Sequence, residues 1–373
     1  MNPQHIFCPN IDCPARGQQD KGNIGVHSAK EKRYRCHVCG QTFSTRKGTL
    51  FYRLRTDSVQ VMLVVALVAH GCPVPAIVKA FGYDERTVQN WWQRAGTHCR
   101  QVHEHLVEAT QLDLQQVQAD EIKAKVQGGS VWMAMAMMVP TRLWLGGVVS
   151  PTRDYALIQA LVAKVRGVAR CQPLLLAVDG LASYVRAFQT AFRTRLPAHG
   201  QVGRPKAVAW PNIAIVQVVK SRPPVRLDIV RRVVQGTEAL VAQLLQRSQG
   251  GGVINTAYIE RLNATFRQRL AGLARRTRYL VQQQATLTAG MYVVGCFYNF
   301  CDVHESLRKQ LWLPKGRYRW VQRTPALAAG LTDHVWTPTE LFTYKVPPPR
   351  WTPPRRRGKL SQQMQALVAK WCS

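Results

Sequence analysis

The segment that most constrains the fold is residues 115–150, where three stretches of apolar and β-branched residues follow one another closely. They read QQVQADEIKAKV, SVWMAMAMMV and RLWLGGVVS, and they are separated by Gly128-Gly129 and by Pro140-Thr141. Short apolar runs divided by glycine and proline are typical of strands joined by tight turns. The sequence therefore predicts an antiparallel meander of three strands.

An α/β pattern follows this meander. A helix is predicted from about Asp154 to Val165, and the apolar run 174–178 then leads directly into Asp179 and Gly180, where a second helix begins. A strand that follows a helical crossover joins the sheet in parallel. We therefore predict an α/β fold with a mixed sheet flanked by helices. The order of three strands, helix, strand and helix is shared by ribonuclease-H-like domains.

Two acidic residues stand out in this pattern. Asp120 lies on the first strand and Asp179 ends the fourth, so their carboxylates face one cleft if these strands are neighbours. Adjacent carboxylates raise each other's pKa unless a divalent cation neutralises them. Two alternatives stay open. Glu121 could replace Asp120, since alternation points one of the two away from the cleft, and Asp179 could simply start the next helix.

A third acid lies on a predicted amphipathic helix, VINTAYIERLNATFRQRL, residues 253–270. Its apolar residues recur at intervals of three and four: Ile259, Leu262, Phe266 and Leu270. Glu260 points away from that face, and Arg267 projects from the same side two turns later. Both charges could belong to a plain solvated face. With Asp120 and Asp179, however, Glu260 would complete an oxygen-rich site for two Mg²⁺ or Mn²⁺ ions.

The N-terminal segment carries two cysteine pairs, one spaced C-x4-C and one C-x2-C: Cys8, Cys13, Cys36 and Cys39. Two such pairs can close a tetrahedral thiolate site that leaves no position open for water. The spacing predicts a zinc ribbon over residues 1–55 with a structural Zn²⁺ ion. His5 or His37 could replace one thiol, and four unrelated free cysteines are the remaining alternative.

Residues 56–98 have the pattern of three short helices, ending at Gly71, Gly82 and Gly96, with Asp84 as the N-cap of the third. This pattern predicts a helix-turn-helix DNA-binding domain. The third helix would offer polar side chains to DNA: Arg86, Thr87, Gln89, Asn90 and Gln93. A three-helix bundle that binds nothing is the alternative. A helical linker is predicted over residues 99–115, and its histidines are expected on a solvated surface.

The charge of the chain bears on its partners. The 51 lysines and arginines outnumber the 20 acids, giving a formal charge of +31, which favours a polyanion such as nucleic acid. The apolar segments are too short to span a bilayer, so no membrane is expected. The ten cysteines suit a reducing cytoplasm better than a disulfide framework. Residues 311–373 are assigned to a basic, proline-rich C-terminal tail, in which YKVPPPRWTPPRRRGKL should be extended and SQQMQALVAKWC could form a short terminal helix.

Three segments that carry the acids, QADEIKAKV, LLLAVDGLASY and NTAYIERLNATFRQRL, resemble the acidic motifs of DDE transposases from bacterial insertion sequences. The later FYNFCDVHESLRKQ is also similar to the end of that family, and the resemblance extends to about Leu341. Its most specific part is the third motif, in which a basic residue follows the acid seven positions later. Glu260 and Arg267 occupy those positions here.

The resemblance implies that Asp120, Asp179 and Glu260 hold two metal ions and catalyse DNA cleavage and 3′-OH strand transfer. It implies that Arg267 contacts the transposon-end DNA, and that the zinc ribbon and helix-turn-helix bind the terminal inverted repeats. The catalytic domain would span residues 116–310. A homo-oligomer acting on duplex DNA ends and target DNA is expected, in the bacterial cytoplasm and associated with the nucleoid.

One departure from the family is the long interval between Asp179 and Glu260, which we assign to an insertion around residues 200–235. Two other functions stay open. A non-catalytic DNA-binding regulator derived from a transposase would not need the acids, and a nuclease that cuts without joining would share the metal site. His304, in the last similar segment, could assist phosphate chemistry or simply pack.

Overall fold

The computed structural model describes residues 2–126, 129–196, 205–221, 228–274, 283–353 and 358–372. The chain divides into two compact units, one made of Met1–Ser58 with Phe342–Ser373 and the other of Val59–Leu341. The second unit therefore contains both the three predicted DNA-binding helices and the predicted catalytic sheet.

The strands of the described residues are, in chain order, β1 Ile24–Ser28, β2 Arg33–Cys36, β3 Thr42–Ser44, β4 Gln116–Val126, β5 Gly129–Met138, β6 Leu143–Ser150, β7 Leu174–Val178, β8 Arg193–Arg195, β9 Ala207–Ala209, β10 Ile213–Ser221, β11 Asp228–Gln235, β12 Lys309–Trp312 and β13 Tyr318–Val321.

The α-helices are α1 Ser58–Ala69, α2 Val74–Phe81, α3 Glu85–His103, α4 Tyr155–Val168, α5 Ala182–Ala191, α6 Glu238–Gln249, α7 Ala257–Arg269, α8 Gln284–Cys296, α9 Pro325–Ala328, α10 Pro338–Thr343 and α11 Gln362–Trp371. Single π-helical turns extend α3 and α8, over Glu104–Glu108 and Phe297–Cys301.

The largest sheet in the described ranges has six strands in the order β11-β10-β7-β4-β5-β6. The pairs β4–β5, β5–β6 and β10–β11 are antiparallel, whereas β4–β7 and β7–β10 are parallel. Every residue of β7 is buried, as expected for a strand covered on both faces. The predicted meander and the mixed, helix-flanked sheet are thus confirmed, except that Gly128 of the first turn lies outside the described residues.

The predicted insertion around residues 200–235 differs from what is observed. Most of its described part forms β10 and β11, which extend the main sheet beyond β7, and β9 pairs with β8. The run IAIVQVV has the apolar character of a strand, and Ala214 and Val216 are fully buried. From the sequence this region was assigned to an insertion and its strands were not predicted, although the local pattern indicates them. Residues 197–204 and 222–227 of this region lie outside the described part.

Helix α3 was predicted to end at Gly96 but continues to His103. A Cβ built on Gly96 would collide with the Cβ of Ala289 on α8, so this glycine permits close helix packing instead of ending the helix. The predicted linker therefore begins as part of α3. His98 and His103 are buried, which corrects the expectation of a solvated surface.

The segment assigned to the C-terminal tail begins with secondary structure that the sequence analysis did not predict. β12 and β13 form an antiparallel hairpin, and α9 and α10 follow it, because this part of the chain has local strand and helix patterns that its overall basic character conceals. Helix α11 forms at the expected place and buries Trp371 beside the N-terminal cysteines. The described part of the proline-rich segment before it forms neither helix nor strand, and Arg16 donates a hydrogen bond to the Pro349 carbonyl (2.7 Å). Residues 354–357 lie outside the described part.

Candidate metal centres

The four N-terminal cysteines come together beside the three-stranded sheet β1-β2-β3. The Sγ atoms of Cys8 and Cys39 are 3.7 Å apart, and those of Cys13 and Cys36 are 3.8 Å apart. Zn–S bonds of about 2.3 Å in a tetrahedron place sulfur atoms about 3.8 Å from each other. The cluster could therefore hold a metal ion of that size.

The environment of these thiols also suits a cation. Burial, and then the charge of Cys36, raise the pKa of Cys13 to about 12. A bound divalent cation would supply the positive charge that keeps such thiols ionised. His5 and His37 are exposed and lie outside the cluster, so they do not replace a thiol in this arrangement.

Asp120 and Asp179 are brought together by neighbouring parallel strands. β4 pairs with β7 with Gln118 opposite Ala177, so each aspartate lies two residues beyond a paired position. Asp120, Asp179 and Glu121 each place a carboxylate oxygen within 4.8 Å of the others. The strand neighbours predicted from the sequence are observed, and this acidic cluster could hold a metal ion.

Glu121 was considered only as a replacement for Asp120, but both belong to the cluster. The two carboxylates reach different helices, as alternation along β4 requires. Asp120 accepts a hydrogen bond from Asn263 of α7 (Nδ2 to Oδ2, 2.7 Å), and Glu121 accepts one from the Tyr184 hydroxyl of α5 (2.8 Å). The Glu121 side chain is only 1% exposed and is ion-paired with Arg153.

The cluster concentrates negative charge in a partly buried place. Burial, and then the neighbouring charge of Glu121, raise the pKa of Asp120 to about 7. Arg153 also reaches Asp179 (Nη2 to Oδ2, 3.4 Å), so one guanidinium partly neutralises two carboxylates. Asp179 accepts from the Leu181 amide (3.0 Å) as well, so it also has the local role at the start of α5 that the sequence left open.

Glu260 lies on the first turn of α7 and is not part of the acidic cluster in this conformation. It forms an ion pair with Lys220 of β10 and accepts from the Thr256 hydroxyl (2.7 Å). Burial opposes its ionisation, but Lys220 and Thr256 outweigh burial and lower its pKa. Asn263, which contacts Asp120, follows one helical turn after Glu260, so both project from the same side of α7. Arg267 is half-buried near the end of this helix.

Gln118 is a positioning residue that the sequence analysis missed. Its fully buried side chain accepts hydrogen bonds from the amides of Tyr258 (3.1 Å) and Ile259 (3.0 Å). It thereby caps the start of α7 and fixes that helix against β4. The available signal was polar alternation in an otherwise apolar strand, since Gln116, Gln118 and Asp120 share one face.

The polar face of α3 borders a cleft of about 750 Å³, which is also lined by the start of α2 and by residues 269–272 after α7. Arg86, Gln89 and Asn90 are exposed in it. Gln89 donates to Glu85 (2.9 Å), and Gln93 donates to Thr286 at the start of α8 (2.9 Å). The predicted DNA-facing residues thus line a concave surface, and Gln93 is already held by a neighbouring helix. Thr87 is half-buried.

His304 lies away from the acidic cluster, in contact with the Tyr298 ring (centroids 4.6 Å apart), and burial lowers its pKa. Its neighbour Asp302 pairs with Arg269 at the end of α7 (2.5 Å). This setting matches the packing alternative for His304.

Comparison of the chain with protein-family models and with curated proteins gave no match. None of the helices in the described ranges combines the length and apolar character that crossing a bilayer requires.

Proposed function

We propose that this protein is a DNA transposase of the DDE type, which cleaves DNA at the ends of its insertion sequence and joins the 3′-OH to target DNA. The observation that carries the proposal is that Asp120 lies on β4 and Asp179 directly follows β7, the neighbouring parallel strand. Glu260 lies on α7, which is hydrogen-bonded to β4. A cluster of adjacent, partly buried carboxylates is costly without a cation, and hard divalent cations prefer oxygen ligands.

The sheet supports the same proposal. An antiparallel meander, followed by two strands added in parallel beside its first strand, is the arrangement expected of a ribonuclease-H-like domain. In this protein β11 adds an antiparallel strand at the edge. Fold likeness alone does not establish chemistry, so the proposal depends on the acids.

In the proposed mechanism Asp120, Asp179 and Glu260 hold two Mg²⁺ or Mn²⁺ ions. When bound, such ions activate water or a 3′-OH and stabilise the leaving oxygen of the scissile phosphate. Asn263 orients the Asp120 carboxylate, and Gln118 fixes the helix that carries Glu260. To hold the ions, Glu260 would have to leave its ion pair with Lys220, and Asp179 its contact with Arg153.

The DNA would be held by other parts of the chain. In this proposal α1–α3 act as a helix-turn-helix with Arg86, Gln89, Asn90 and Gln93 toward the terminal repeats, and Arg267 contacts the DNA end. The cysteine cluster binds a structural Zn²⁺ ion, and the formal charge of +31 attracts phosphate. Because two ends must be held together, the active form is a homo-oligomer.

One observation favours a second candidate, a DNA-binding regulator without catalysis. Arg153 and Lys220 already pair with the acids, so the carboxylates could serve as an ordinary network of ion pairs. In that case Arg153 and Lys220 would hold three of the acids without metal, and only the DNA-binding parts would have a function.

The deciding experiment is Mg²⁺-dependent cleavage and strand transfer on DNA that carries the element's own ends. We expect joined products from the natural protein, none from Glu260→Gln or Asp120→Asn with DNA binding retained, and normal products from Glu238→Gln, a control at the start of α6. DNA binding without cleavage by the natural protein would favour the regulator. Cleavage without joining would indicate a nuclease.

A further inference from the structure

The hairpin β12–β13 exposes an unusual set of aromatic side chains. Trp312 is 65% exposed, Tyr318 52% and Trp320 46%, although large aromatic residues normally bury most of their surface. The rings are close to one another: Trp312 and Tyr318 have centroids 5.5 Å apart, and Tyr318 and Trp320 are 6.1 Å apart. They form a continuous surface, which we call the aromatic face.

The strand register explains why these rings share one face. Trp312 pairs with Tyr318 and Gln310 pairs with Trp320, and cross-strand partners lie on the same side of a sheet. The opposite face carries Lys309 and Arg319 with two aliphatic residues. The hairpin is therefore aromatic on one side, and the other side mixes basic and aliphatic residues.

The charge around the hairpin has a single sign. From Ser306 to Thr324 the sequence contains six basic residues and no acid: Arg308, Lys309, Lys315, Arg317, Arg319 and Arg323. The Arg308 guanidinium lies 4.4 Å from the centroid of the Trp320 ring and also pairs with Glu305, just before the hairpin (2.8 Å). A polyanion that also contains flat rings would match both the exposed aromatic rings and the basic residues around them.

Single-stranded nucleic acid has this combination of properties. Aromatic side chains stack on unpaired bases while basic groups follow the phosphates, and this requires no particular base sequence. Duplex DNA has its bases already stacked and would leave the aromatic face without partners. A second copy of the chain would bring a like-charged hairpin against this one, which repels.

The base of the hairpin is linked to the proposed active site. His304 donates its amide to the Arg323 carbonyl (3.0 Å) and closes the base, and Asp302 just before it pairs with Arg269 (2.5 Å). Arg269 is the last residue of α7, the helix that carries Glu260 near its start. At 1.5 Å per residue the two lie about 14 Å apart along the helix, roughly the length of four stacked nucleotides.

We infer that the aromatic face binds unpaired bases of DNA beside the strand that is cut. The inference rests on the proposed function, because it specifies the form of DNA that the enzyme holds near its acids. Trp312 and Trp320 would stack on bases, and the basic residues would hold the phosphates. The hairpin would then favour ends that are already melted or have been nicked.

The test measures binding of oligothymidine and of a duplex to the full chain by fluorescence anisotropy. We expect Trp312→Leu and Trp320→Leu each to weaken oligothymidine binding by about 5-fold to about 150-fold, the range for losing one stacked base. Duplex binding should be unchanged. Trp312→Phe keeps a ring and should restore most of the binding, and Leu313→Ala, an exposed apolar neighbour, should leave it unchanged. Circular dichroism checks that each variant is folded.

Several results would overturn the inference. If both leucine variants bind oligothymidine as the natural protein does, the aromatic face does not bind bases. If the natural protein binds duplex but not oligothymidine, the inference fails while the proposed function stands, whereas no binding to either DNA would contradict both. If the leucine variants change only the oligomer size in sedimentation, the face is a contact between copies.

Discussion

Asn263 on α7 donates a hydrogen bond of 2.7 Å to Asp120 on β4, and this bond joins the helix that carries Glu260 to the strand that carries the first aspartate. Asn263 is itself buried. The donor orients the Asp120 carboxylate, whose Oδ1 also accepts from the Glu121 amide (2.9 Å), and each oxygen keeps a lone pair for a cation.

The first prediction concerns this bond. Asn263→Ala should weaken Mn²⁺ binding or Mg²⁺-dependent cleavage by about 10-fold to 100-fold, as is usual when the partner of a metal ligand is removed. Titration calorimetry with Mn²⁺ and the Mg²⁺ dependence of cleavage both measure this effect. Thr265→Ala on the same helix is the control. Equal metal affinity in the Asn263→Ala variant and the natural protein would show that Asp120 needs no such support.

The second prediction concerns the competition for Glu260. Lys220→Met keeps the length of the side chain and removes the charge that pairs with this carboxylate. Because the pair is partly exposed, its loss is worth only about 0.2–1 kcal/mol, so Mn²⁺ affinity should rise by a factor of about 1.4 to 5. Calorimetry measures the Mn²⁺ affinity, and Lys206→Met is the control for losing one positive charge elsewhere. The absence of any rise beyond that of the control would contradict a role for Glu260 as a ligand.

The third prediction concerns the cysteine cluster. Native mass spectrometry should count one zinc per chain, and Cys36→Ser should abolish it. Structural zinc contributes on the order of 10 kcal/mol to the folding of small zinc domains, so the unit around β1–β3 should lose its cooperative unfolding transition. Trp371, buried in this cluster, should then become accessible to a fluorescence quencher. Cys72→Ser should keep the zinc, and a metal-free natural protein with an intact transition would refute the site.

The fourth prediction concerns helix packing. Gly96→Ala would drive a Cβ into that of Ala289, and such overpacking should lower the free energy of unfolding by about 1–3 kcal/mol. Gly167 in α4 has no atom within 4 Å of the same position, so Gly167→Ala should instead raise it by about 0.5–1 kcal/mol. Urea unfolding measures both. We expect the two variants to change the free energy of unfolding in opposite directions. Equal changes would contradict the close packing of α3 on α8.

The fifth prediction concerns acid stability. Burial, and then the charge of Lys164, lower the pKa of His103 to about 3, below the value near 6.5 of an unfolded histidine. The unfolded state therefore binds the proton more readily. Stability is complete above about pH 6.5 and falls as the pH drops toward 3, by at most about 1.4 kcal/mol per unit.

Urea unfolding at pH 7 and pH 5 measures this fall. His103→Gln should show a smaller loss between the two values, whereas His27→Gln, an exposed control, should behave as the natural protein does. An unchanged loss in His103→Gln would assign the acid sensitivity to other groups.

The sequence by itself determined the elements whose signal is local. The meander β4–β6 and the buried strand β7 follow from short apolar runs, and the buried face of α7 follows from the spacing of Ile259, Leu262 and Phe266. The placement of Asp120 beside Asp179 was also predictable, because it needs only two neighbouring parallel strands. The strands and the helix face depend on residues close together in the chain, and the placement of the two aspartates needs only the neighbouring parallel strands that an α/β pattern implies.

Only the tertiary structure decided which side chains meet across long separations. Glu121 joins the acidic cluster through Tyr184 and Arg153, Glu260 pairs with Lys220, and Trp371 is buried beside the N-terminal cysteines. Alternation along a strand indicates to which face of the sheet a side chain points, but not which helix will cover it. Those contacts depend on how distant elements pack, and burial and charge pairing determine that packing.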